Sequence, residues 1–184
     1  MRNRIEIKRF RALSLEELYA ILELRTRVFV VGQKITAEPE VDGHDPECAH
    51  ALLWVPGTEN TVPGTKYTVP GTENTMPGTV SSQQTGDAPQ GPANAKMRLA
   101  GTARIFVDRA PIAVGRVAIH PDYQREGLGT LLMREIQASF DGQKATLHAQ
   151  AHLRDWYERL GWRAEGEVFL EAEIPHISMR FDAR

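Results

Sequence analysis

Apolar and charged side chains alternate over Ile5-Glu6-Ile7, a period of two that predicts a half-buried strand. Ser14 and Glu17 have the spacing of a capping box. Leu15, Leu18 and Leu22 follow at helical intervals, so a helix is expected from about residue 15 to 29. The run AHALLWV (49–55) predicts a second strand. MRLAGTARIFVD (97–108) predicts a third, with Met97, Leu99, Ala103, Ile105 and Val107 assigned to one face. IAVGRVAIH (112–120) follows Pro111 as a fourth. A helix then carries Leu128, Leu131, Leu132, Ile136 and Phe140 and stops at Asp141-Gly142. ATLHAQ (145–150) is a short strand. Leu153, Trp156, Tyr157 and Leu160 make the apolar stripe of a last helix, ended by Gly161. EVFLE and HISMRF complete the sheet. The order β-α-β-β-β-α-β-α-β-β belongs to a mixed α/β fold.

Between the second and third strands the periodicity fails. Val55-Pro56-Gly57-Thr58 recurs as Val62-Pro63-Gly64-Thr65, Val69-Pro70-Gly71-Thr72 and Met76-Pro77-Gly78-Thr79. The spacing is that of a coiled-coil heptad, but a Pro-Gly pair in every unit prevents helix propagation and favours type II turns. Of the chain's 11 prolines, 6 fall between Pro56 and Pro92, and too few apolar side chains accompany them to offset the entropy of ordering. The expected organisation is one domain over 1–184 with a disordered hairpin-loop insertion at 56–95. Lengthening a hairpin loop from about 4 to about 40 residues costs only about 2 kcal/mol, which a stable domain absorbs.

Composition narrows the function classes. The 184 residues carry 22 Lys plus Arg against 24 Asp plus Glu, a formal charge of −2. That balance points to neither a nucleic-acid nor a membrane partner. A single cysteine, Cys48, allows no internal disulfide and fits a reducing compartment. The basic start MRNRIEIKRF alternates instead of entering an apolar run, so no signal peptide is expected and the chain reads as cytoplasmic. Six histidines lack an H-E-x-x-H arrangement and the cysteine has no CxxC partner, so no metal is expected.

Chemistry concentrates in VAIHPDYQREGLGT (117–130). A strand ends near His120, a loop turns, and a helix begins near Gly127. Glycines at 127 and 129 leave the amides of the first helical turn unobstructed, at the positive end of the helix dipole. Such a start cradles phosphate. The same glycines also permit close packing of helix on sheet, and these residues alone do not separate the two readings. Gly-Lys-Ser/Thr is absent, and so is the first glycine of G-x-G-x-x-G, which disfavours P-loop and dinucleotide motifs.

Taken with the element order, VAIHPDYQREGLGTLLM resembles the pyrophosphate motif of the GNAT superfamily of acyl-CoA-dependent N-acyltransferases. The resemblance implies a mixed, mostly antiparallel sheet flanked by helices. It also implies a cofactor-binding set: Val117, Ala118 and Ile119 along the pantetheine arm, and Gln124, Arg125, Glu126, Gly127, Leu128, Gly129 and Thr130 around the diphosphate. HAQAHLRDWYERLGW is similar to the family's strand-then-helix segment. There Gln150 stands where many members carry Asn and joins the cofactor-binding set, and Tyr157 takes the place of the proton donor to the leaving thiolate. LRTRVFVVGQ, EVDGHD, AQAHLRDWY and IPHISM are similar to signatures of the ElaA-like branch, with Gly32 where that branch usually shows Glu.

The function implied is transfer of an acetyl group from acetyl-CoA, as acyl donor, to a primary amine in a ternary complex, without metal. The acceptor is a small-molecule or peptide amine, and the oligomeric state is open, a homodimer included. The alternative is a catalytically silent CoA-binding sensor or interaction module, motivated by Gly32 and by the lack of a carboxylate in ATLHAQ. For the general base the sequence offers His148, His176, Glu40 through water, or solvent, and selects none. Arg25 and Arg27 are explained as cations at a helix C-terminus, favoured there by the dipole.

Overall fold

The alternating N-terminal segment forms strand β1 (Arg4–Arg9), and the capping box forms in full. Ser14 Oγ accepts from Glu17 N at 3.2 Å, and Glu17 Oε2 accepts from Ser14 N at 3.0 Å. Helix α1 (Leu15–Arg25) follows. In the computed structural model, which describes residues 2–57 and 97–182, the remaining elements are β2 (Ala49–Pro56), β3 (Met97–Phe106), β4 (Ile112–Ile119), α2 (Leu128–Ala138), β5 (Ala145–Gln150), α3 (Arg154–Arg159), β6 (Arg163–Glu171) and β7 (Ile174–Phe181). They build the unit formed by Met1–Pro56 and Met97–Arg184. The expected insertion lies outside the described residues from Thr58 to Lys96. Its two ends meet: Pro56 pairs with Met97 across an antiparallel ladder.

One seven-stranded sheet runs β1-β2-β3-β4-β5-β7-β6. All neighbours are antiparallel except β4 and β5, which are parallel. Helices cover both faces. Leu128, Leu132, Met133 and Ile136 of α2, with Tyr157 of α3, join Ala103, Ile105, Val114 and Leu147 on one side. Trp162, only 2% exposed, seals that core against Phe140 and Phe181. On the other side Leu24 and Val28 pack on Leu99 and Ala118.

Three expectations change. The buried side of α1 and the turn after it is Ile21, Leu24, Arg25 and Val28, while Leu15 is 82% exposed. Both apolar series have helical spacing, and periodicity does not choose between them. On α2, Met133 is buried and Leu131 lies partly outside. In β3 an extra residue, Ala100, opposes the step from Leu53 to Trp54. This bulge moves Leu99 to the α1 face, away from Ala103 and Ile105.

The first helix also ends differently. Regular α-helix stops at Arg25, and Thr26–Gly32 winds as a π-helical turn. Gln33 N donates to Val28 O at 3.0 Å, five residues back. A Cβ on Gly32 would stand 3.2 Å from the Arg27 carbonyl, tighter than most side chains tolerate. The wider turn brings Phe29, Gln33 and Ile35 to the edge of a cavity, consistent with the frequent use of π turns at binding sites.

Candidate active site

The cavity originates in β4. Thr102 pairs with Ala118 and Arg104 with Gly115, so Arg116 and Val117 together oppose Ala103. Arg116 takes φ +51°, in the left-handed region. This bulge re-aims the strand. Beyond Val114↔Leu147, β4 no longer pairs with β5. Gly115, Arg116 and Val117 on one wall and His148 and Gln150 on the other then line a cavity of about 460 Å³.

Backbone polar groups face this gap. His120 N donates to Ala100 O at 2.8 Å, so strand alternation turns the N–H and C=O of Ile119 away from β3, with Val117 one alternation step before it. Gln124 Nε2 donates to the Ile119 carbonyl at 3.1 Å. The Gln124 side chain therefore braces the loop against the strand.

The loop after β4 is tightly wound. Tyr123 N donates to His120 O at 2.9 Å and Gln124 N to Pro121 O at 3.3 Å. His120 Nδ1 accepts from Asp122 N at 3.2 Å. Arg125 at φ +67° and Gly127 at φ +80° then take left-handed conformations, and Gly127 is the N-cap of α2. Alternating conformations of this kind aim successive N–H groups into one concavity suited to an anion. The first α2 amide with an intrahelical acceptor is that of Leu131, bonded to Gly127 O at 3.1 Å. The amides of Leu128, Gly129 and Thr130 precede it and have no intrahelical partner.

The two glycines divide the readings left open by the sequence. A Cβ on Gly127 meets nothing within 4 Å, whereas one on Gly129 would touch Trp156 Cζ2 at 3.4 Å and Ile119 Cγ1 at 3.6 Å. Gly127 thus serves the backbone conformation, whereas Gly129 packs beside α3 and β4 at distances that a methyl group would also tolerate. Thr130 has a further partner, its Oγ1 accepting from Trp156 Nε1 at 3.2 Å.

Tyr157 on α3 lines the same cavity while packing edge-on against Trp156 at 4.6 Å and Trp162 at 6.2 Å. Burial pushes its phenol well above the ordinary range, so the hydroxyl keeps its proton at neutral pH. Gln150 Nε2 donates to Gln33 Oε1 at 2.9 Å, tying β5 to the segment that follows the π turn.

An ion-pair network closes the side facing α1. Arg25, 1% exposed, pairs with Glu40 through Nε and with Asp45 through Nη1 at 2.7 Å. Arg104 holds Asp42 by two bonds, Nη1 to Oδ1 at 2.7 Å and Nη2 to Oδ2 at 2.8 Å. Arg116 reaches Glu40 at 3.2 Å and Asp42 at 3.4 Å. Arg25 is therefore a buried network member and not a dipole-favoured surface cation. Arg27 pairs with Glu23 at 3.5 Å on the surface. Glu40, considered above as a base, is occupied by two guanidiniums. The acids of EVDGHD were the signal available in the sequence, but their partners lie on three separate elements.

The site also holds two carboxylates that sequence reasoning did not name, Glu38 and Glu171. Glu38, Glu40 and Glu171 supply carboxylates to the cavity wall although Gly32 supplies none. His148 Nδ1 lies 2.6 Å from Glu171 Oε2. Among the described residues, no group of three or more His, Cys, Asp or Glu is arranged to hold a metal ion, and no helix is long and apolar enough to cross a membrane.

Comparison with known proteins gives concordant results. The acetyltransferase (GNAT) domain family matches residues 89–183. The crystal structure of an acyl-CoA N-acyltransferase from Pseudomonas aeruginosa superposes with a TM-score of 0.68 at 30% identity, covering 98% of this chain and 99% of that one. The crystal structure of Escherichia coli ElaA gives a TM-score of 0.69 at 25% identity, covering 98% and 100%. A UPF0039 protein of Schizosaccharomyces pombe is 29% identical over 181 residues, covering 95% of this chain and 94% of its own.

Proposed function

The chain belongs to the acetyltransferase (GNAT) family, in its ElaA-like branch, and from that premise we propose that it transfers an acetyl group from acetyl-CoA to a primary amine. The observation carrying this reading is convergence. The gap between β4 and β5 and the Tyr157 side chain border one cavity, and the loop that opens α2 continues directly from β4, one wall of that cavity.

In this reading Arg125 to Thr130 hold the diphosphate, as an αL-containing helix start suits an anion. The main-chain groups of Val117 and the Ile119 N–H, turned away from β3, receive the pantetheine arm, with Ala118 fixing the strand from its opposite face. A main-chain N–H at the β4 bulge stabilises the oxyanion that develops on the thioester carbonyl. Tyr157, kept protonated by burial, gives its proton to the departing sulfur. A thioester is already activated, so positioning of the two reactants carries much of the acceleration. The cavity wall carries Glu38, Glu40 and Glu171 together with Arg104, Arg109 and Arg116, a polar lining that suits an amine acceptor. The repeat insertion is a passenger in this chemistry, since the strands flanking it pair up to Pro56 and Met97.

Thiol release from acetyl-CoA, measured with a panel of alkyl diamines, amino acids and Lys-containing peptides, tests the proposal. Amine-dependent release is expected. Saturable CoA binding with no release on any amine would assign the chain to the sensor class.

A further inference from the structure

Most alkyl amines reach an enzyme as ammonium ions, so a group in the cavity must take a proton before nitrogen can attack. Four side chains on the wall are candidates by chemistry: Glu38, Glu40, His148 and His176, with Glu171 beside His148. Glu40 is neutralised by Arg25 and Arg116. His176 is 9% exposed and its Nδ1 lies 2.8 Å from the Ile174 carbonyl, and it has no carboxylate partner among the described bonds. Glu38 has no orienting partner among the described bonds.

His148 differs on each count. It sits on β5 with its side chain half exposed at the cavity. Its Nδ1 stands 2.6 Å from Glu171 Oε2. A carboxylate can only accept in this contact, so Nδ1 carries the hydrogen and Nε2 presents a bare lone pair. The arrangement is built by an irregularity in β6. Glu165 pairs with Ser178 but Phe169 with His176, leaving two extra residues in β6. Gly166 turns there at φ +73°. The displaced strand brings the Phe169 ring edge-on to His148 at 4.9 Å and its end, Glu171, onto Nδ1. The imidazole is thereby held on one side by a ring and on the other by a charge.

We infer that His148 is the general base for the acceptor amine and that Glu171 positions it; this rests on the transferase reading above. Nε2 takes a proton from the ammonium nitrogen. The freed nitrogen attacks the thioester carbonyl carbon and the C–N bond forms. The C–S bond then breaks, its electron pair leaves with sulfur, and Tyr157 protonates that sulfur. The amide nitrogen loses its second proton to solvent, His148 returns its proton to solvent, and Tyr157 is reprotonated from it. Glu171 offsets the positive charge that His148 acquires. The other titratable and charged groups lining the same cavity are Glu38 and Glu40 from the segment after the π turn, Arg104 of β3 and Arg109 just after it, Arg116 of β4, Tyr157 of α3 and His176 of β7.

Two measurements test the assignment. Histidine-selective nitrogen NMR of the full chain should show His148 protonated at Nδ1 and bare at Nε2, and an Nε2-protonated tautomer overturns the proposal. With the best amine of the panel above, His148→Gln should lower kcat on the order of 100-fold. It should also remove the rise of kcat with pH that a general base produces, with CoA affinity unchanged. Glu171→Gln should lower kcat by about 10-fold and displace that rise, an effect that a merely structural role would not produce. Amine-dependent release in wild type with an unaltered pH profile in His148→Gln sinks the base and leaves the transferase standing. Release with no amine at all sinks both.

Discussion

Asp42 links the ion-pair network to β4, and its replacement by Asn has a calculable cost. The carboxylate accepts two charge-assisted bonds from Arg104 at 2.7 and 2.8 Å and one from His44 N at 3.1 Å, and it stands 3.4 Å from Arg116. Asn keeps the shape and one acceptor oxygen but removes the charge. Arg104, with its side chain 7% exposed, is then left with Asp45 at 3.4 Å, a carboxylate that Arg25 already uses. Breaking a buried pair from one side costs about 3–5 kcal/mol. Asp42 keeps a 20% exposed side chain and Arg104 keeps its second partner, so the low end applies, about 3 kcal/mol. Urea unfolding reads this as a lowered midpoint at constant slope. Removing both groups in Asp42→Asn/Arg104→Met should cost less than the two single changes summed.

The pH dependence of that difference has a definite sign. Arg104 holds the Asp42 carboxyl well below the ordinary carboxylate range in the folded chain. A depressed folded pKa means the stabilisation is complete above the unfolded value of about 3.9 and fades as pH falls towards the folded one. Wild type minus Asp42→Asn should therefore be flat from about pH 8 to 5 and shrink below about pH 4. A cost under about 1 kcal/mol, the size of an exposed pair, would refute the network as a buried one. A difference that does not change on acidification would refute Arg104 as its cause.

Other outcomes follow from the same geometry. Tyr157→Phe should reduce thiol release on the order of 100-fold while CoA affinity, measured by calorimetry, stays the same; an unaltered rate would remove Tyr157 from proton transfer. Replacing the insertion by a turn of about 4 residues between Pro56 and Met97 should raise unfolding free energy by about 2 kcal/mol. Turnover should not change, and a loss of turnover would give the repeat a role in catalysis. Gly129→Ala, whose Cβ meets only ordinary contacts, should leave the unfolding midpoint in urea close to wild type.

The order of ten elements was legible from periodicity and turn residues alone, and so was the loop from Val117 to Thr130. The capping box Ser14/Glu17 and the stop at Gly161, with φ +92°, are local devices that a sequence displays directly. What stayed hidden depends on partners distant in the chain. Leu15, Leu18 and Leu22 pointed to one face of α1, whereas the docking of Leu24 and Val28 on Leu99 and Ala118 selects another. The bulges at Ala100 and at Arg116-Val117 leave no compositional mark, although the second opens the cavity. Arg25 and Arg104 reach acids 20 and 62 positions away, so their burial was unreadable. Likewise Glu171 meets His148 only because β6 carries two extra residues against β7. The loop before α2 is thus a local motif, and the cavity wall formed by β5 and β6 is a product of tertiary structure.

The central claim is that amides at the start of α2 bind the diphosphate of acetyl-CoA. Gly127→Asp tests it with little disturbance to the fold, because the new Cβ meets nothing within 4 Å and Asp tolerates the left-handed conformation at a cost of about 1 kcal/mol. Its carboxylate would stand at the mouth of the cradle as a competing anion. Calorimetric titration with CoA should give saturable heat for wild type and an affinity weaker by at least about 10-fold for the variant, a penalty of about 1.4 kcal/mol. Equal affinity for the two proteins, or no heat from wild type, would contradict the account.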